Sequence, residues 1–69
     1  MTSRDLEAMI RDVIIHLGLR FTVLSILESP AGWNIQLRSG GGGLMRFRVP
    51  DGRPSAMRVA IQNQLEAQP

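Results

Sequence analysis

Two arms of strict apolar–polar alternation meet at a run of four glycines, and this constrains the fold more than any other stretch. The first arm is Trp33-Asn34-Ile35-Gln36-Leu37-Arg38 and the second is Leu44-Met45-Arg46-Phe47-Arg48-Val49, with Ser39 and Gly40 to Gly43 between them. A period of two is the mark of a strand with one buried face. Trp33, Ile35, Leu37, Met45, Phe47 and Val49 therefore face a core. Asn34, Gln36, Arg38, Leu44, Arg46 and Arg48 face away from it. The stretch reads as a β-hairpin.

The glycine run could suggest a phosphate cradle. A P-loop, however, needs Lys-Ser or Lys-Thr and then a helix, whose N-terminus supplies the anion site. Here Leu44-Met45-Arg46 follows in a strand pattern, and the dinucleotide fingerprint fails in the same way. The glycines read as a flexible turn, since glycine takes positive φ at no steric cost.

Upstream, Leu6, Met9, Ile10, Val13, Ile14 and Leu17 recur at helical spacing and form one apolar stripe. Thr2 or Ser3 can cap this helix, Asp5 and Glu7 suit its N-terminal dipole, and Gly18 followed by Leu19 suits its end. Glu7 with Arg11 and Asp12 with His16 fall four residues apart on its flanks. Leu19 to Glu28 reads as a strand whose alternation blurs after Val23, with a bulge expected near Leu24 or Ser25. Ser29-Pro30-Ala31-Gly32 matches a tight turn.

Beyond the hairpin, Pro50-Asp51-Gly52 is an exit turn and Pro54 opens a second helix, with Asp51 or Ser55 as its cap. Met57, Ala60, Ile61 and Leu65 form its buried stripe, and Ala67-Gln68-Pro69 reads as a fraying end. The expected fold is a single α+β domain, a two-layer sandwich in the order α-β-β-β-α. Three antiparallel strands form a meander, and both helices lie on one face.

This element order, from Ser3 to Gln68, resembles the double-stranded-RNA-binding domain. That family reads duplex shape through its first helix, the loop between strands one and two, and a lysine-rich start to the last helix. The comparable stretch is Gly52-Arg53-Pro54-Ser55-Ala56-Met57-Arg58, where Ala56 and Met57 stand in place of the basic pair. The turn Ser29-Pro30-Ala31-Gly32 has no histidine. The resemblance implies the fold, and no site residue carries over. The layout is also similar to that of small bacterial proteins of uncharacterised role.

The chain has no cysteine, lysine or tyrosine and only one histidine, so nucleophiles, bases and metal ligands are scarce. No enzyme activity, cofactor or metal is expected, and His16 reads as structural. Apolar runs are too short to cross a bilayer and no targeting segment is visible, so a cytoplasmic protein without membrane contact is expected.

All eight basic residues are arginine and the net charge is +2. Met1 to Gly18 is net acidic, with Arg4 and Arg11 against Asp5, Glu7 and Asp12. Leu19 to Arg53 holds five arginines against Glu28 and Asp51. Arg20, Arg38, Arg46 and Arg48 are expected on the outer sheet face, a candidate polyanion surface for RNA or DNA. Single-strand readers add stacking aromatics, but Phe21, Trp33 and Phe47 all fall on the apolar side. Ile15, Leu44 and Val59 are apolar residues on outward faces, candidates for contact with a protein partner or a second copy. A chain of this size buries only about 60% of its unfolded surface, so a homodimer would add stability.

Overall fold

The computed structural model describes residues 1–67. It contains α1 (Ser3–Leu17), β1 (Phe21–Ser29), β2 (Gly32–Ser39), β3 (Leu44–Val49) and α2 (Pro54–Glu66). The strands form one antiparallel sheet in the order β1-β2-β3. Both helices pack on the same side of it, as expected for the α+β sandwich.

α1 begins at a reciprocal cap. The Thr2 hydroxyl accepts from the Asp5 N–H, and the Asp5 carboxylate accepts from the Thr2 N–H, each at 3.2 Å. Two orphan donors of the first turn are thereby satisfied. The Thr2 backbone N–H, and then the Thr2 hydroxyl beside the carboxylate, hold the Asp5 carboxyl below its ordinary pKa. At the other end Gly18 takes φ 69°, and the Leu19 N–H reaches back to the Ile14 carbonyl. That left-handed stop turns the chain into β1. Leu6, Ile10, Val13 and Ile14 are buried, each worth about 1.5–3 kcal/mol of apolar transfer.

The hairpin has the expected faces. Trp33 pairs with Val49, Ile35 with Phe47 and Leu37 with Met45, and all but the half-buried Phe47 are buried. Met57, Ile61 and Leu65 of α2 complete the core. The glycine turn closes on itself: Ser39 N–H donates to the Gly43 carbonyl, Gly42 N–H to the Ser39 carbonyl, and Gly43 N–H to the Ser39 hydroxyl. Only Gly42 in this run has positive φ.

Two local expectations need correction. Neither Asp51 nor Ser55 caps α2: Arg53 occupies the cap position without a side-chain bond, and Asp51 accepts from the Gly52 N–H instead. Pro54 lacks an N–H, so one of the four orphan donors is already absent. Glu7 pairs with Arg11 at 3.0 Å, but Asp12 bonds Arg58 of α2 rather than His16. An ion pair thus bridges the two helices. The expected fraying at Gln68 and Pro69 lies outside the described residues.

Candidate interaction surface

The side of the sheet away from the helices is built by register. Leu27, Asn34 and Arg48 lie abreast; Ser25, Gln36 and Arg46 form the next row; Thr22, Arg38 and Leu44 form the third. None of these nine residues carries a carboxylate. Among the described residues ion pairs form at Glu7–Arg11 and Asp12–Arg58, so Arg38, Arg46 and Arg48 share in neither. All three are exposed. Ser25, Leu27, Asn34, Gln36, Arg46 and Arg48 are among the residues that line a shallow open depression.

Arg38, Arg46 and Arg48 are therefore brought together as expected from the two-residue period. Arg20 stands just ahead of β1, where its carbonyl accepts from the Gly40 N–H at 2.8 Å. Its stem lies across that glycine, since a Cβ there would stand 3.1 Å from the Arg20 Cβ. Arg20 extends the row of cations past the last strand pair, at the glycine-turn end of the sheet.

The three candidate apolar residues do not form one patch. Leu44 is exposed on the outer sheet face, whereas Ile15 and Val59 are exposed on the helices across the sheet from it. A larger apolar contribution comes from a residue that alternation alone did not mark. Leu27 is 63% exposed on the outer face, diagonally across from Leu44. The cause is the bulge: Val23 pairs with Leu37 and Ser25 with Gln36, leaving Leu24 without a partner on β2. Past that extra residue the faces exchange, so Ile26 turns inward and Leu27 outward. The broken alternation at Leu24-Ser25 was the available signal.

The first turn of α2 offers little to a phosphate backbone. Met57 is buried in the core and Ala56 has no charge, while Arg58 is engaged with Asp12. No family model, no curated protein and no solved structure matches this chain. The functional reading thus rests on the surfaces themselves.

Among the described residues, no three His, Asp or Glu side chains gather as a metal site requires. Among the described residues, no helix is long and apolar enough to cross a membrane.

Proposed function

We propose that this chain is a non-enzymatic binding domain whose uncovered sheet face engages an acidic patch on a protein partner. One observation carries this reading: three unpaired arginines stand among neutral residues, with Leu27 and Leu44 at opposite corners. Arginine with flanking apolar side chains is the mixture that protein interfaces favour. The guanidinium forks would take carboxylates two bonds at a time, and the leucines would add apolar contact. Self-association through another surface is compatible with this role.

A second reading has its own support. The same arginines could neutralise phosphates of RNA or DNA, and the absence of any carboxylate on the face favours it. The lack of an outward aromatic argues against base stacking, which places this reading second.

The test is capture from the native cell with wild type and with Arg46→Glu/Arg48→Glu. A protein retained by wild type and lost with the variant, with or without nuclease, is the expected result. Retention that vanishes on nuclease treatment would favour the nucleic-acid reading. Identical retention by both chains would overturn a role for the face.

A further inference from the structure

β1 and β3 are the two edges of the sheet, and they are finished very differently. β3 is six residues long, carries Arg46 and Arg48, and runs directly into Pro50. Shortness, charge and proline are the usual protections of a free edge. β1 is longer, and its charge and proline come only at its far end, at Glu28 and at Pro30 just beyond it. It is nine residues long, and Phe21 to Leu27 contains neither charge nor proline. The backbone edge facing away from β2 is a row of groups able to pair with another strand.

The bulge specifies which strand fits there. Val23 shares the inward face with Leu37, and Ser25 shares the outward face with Gln36, so Leu24 is surplus. A regular strand laid against β1 would meet the same surplus and leave one residue unmatched. A second β1, running antiparallel about a two-fold axis, carries the surplus at the same place. Leu24 then lies opposite Ser25 of the second copy, Val23 opposite its Ile26 and Thr22 opposite its Leu27. The face exchange at the bulge puts Val23 and Ile26 on one side and Thr22 and Leu27 on the other in each copy. Inward residues meet inward ones, and no residue is left over.

The side chains beside this edge point to the same occupant. Ile15 is 78% exposed and shares a groove with Phe21 and Val23 along the strand. Leu24 and Leu27 are also exposed. Half of the six large exposed apolar side chains among the described residues therefore border one edge. A self-complementary strand meets them with its own apolar copies, which is the isologous contact of a two-fold dimer.

We infer that two copies of this chain join along β1 into one continuous six-stranded sheet. The inference rests on the binding reading only in treating a second copy as a partner, and it leaves both outer faces free and side by side. Sedimentation equilibrium from micromolar to millimolar chain is expected to show a monomer–dimer equilibrium. Leu24→Lys and Leu27→Lys replace exposed side chains and are expected to weaken it by at least about tenfold, or 1.4 kcal/mol. Leu44→Lys and Val59→Lys should leave it unchanged, with circular dichroism verifying the fold of each variant. In wild type, amide exchange in Phe21–Ser29 should slow as concentration rises while that in Leu44–Val49 does not. A strict monomer throughout would overturn the pairing without touching the outer-face proposal. A dimer that survives both lysine variants, with concentration-dependent protection outside β1, would overturn the pairing and assign self-association to another surface.

Discussion

Gly32 lies directly beneath the carbonyl of Val49: a Cβ at Gly32 would stand 2.3 Å from that oxygen. Its φ of 136° is also one that L side chains rarely adopt. The β1–β2 turn and the exit from β3 can share this corner only because the side chain is absent. Gly32→Ala is expected to cost several kcal/mol, the range seen when core overpacking and backbone strain combine. Gly41→Ala, where nothing lies within 4 Å and φ is not positive, should be neutral or stabilise by about 0.4–1 kcal/mol. Urea titrations followed by the fluorescence of the single buried tryptophan, Trp33, would measure both.

Leu37 is fully buried on β2, opposite Met45 and one pair from the turn end of the hairpin. Leu37→Ala is expected to cost about 2–5 kcal/mol from lost transfer energy and the cavity left behind. A domain of this size has a total of about 3–10 kcal/mol to lose, so the variant should forfeit a large part of its stability. Thermal melts would show this as a markedly lowered midpoint.

The Thr2–Asp5 cap gives α1 a dependence on pH. Because the folded-state pKa of Asp5 is lowered, its carboxylate contributes stability above its ordinary pKa. That contribution is lost as pH falls through the lowered value. Helix content in the first turn should therefore decline in acid, and Asp5→Asn should remove this part of the dependence. Thr2→Ala is expected to cost about 1 kcal/mol at neutral pH. Amide exchange at Asp5 and Leu6, followed against pH, would read both effects.

Asp12 and Arg58 join α1 to α2, and both side chains are substantially exposed. A double-mutant cycle with Asp12→Asn and Arg58→Met is expected to give a coupling of no more than about 1 kcal/mol. The coupling should shrink with added salt, as expected for a pair open to solvent.

Much of this architecture can be read from local patterns. The stripe from Leu6 to Leu17 and the alternation from Trp33 to Val49 each repeat a single period, so helix, hairpin and their buried faces follow directly. The outward positions of Arg38, Arg46 and Arg48 follow from the same period. Leu27 did not, because the extra residue at Leu24 reverses every face beyond it, and a register slip has no local sign stronger than a blurred alternation. The Asp12–Arg58 pair has no local signature either: its members are 46 residues apart and meet only once both helices lie on one sheet face. At α2, Pro54 allows a helix start without a side-chain cap, so neither nearby oxygen-bearing residue, Asp51 or Ser55, is needed there.

The outer sheet face is the surface on which the account of function stands, and Gln36 lies at its centre between Ser25 and Arg46. A photo-crosslinking residue placed at Gln36 and expressed in the native cell tests it most directly. The expected result is a discrete adduct with an acidic protein, lost when Arg46→Glu/Arg48→Glu is added and absent when the crosslinker is moved to Val59 on α2. No protein adduct at Gln36, or one that persists unchanged in the charge-reversed variant, would contradict the claim that this face is the working surface.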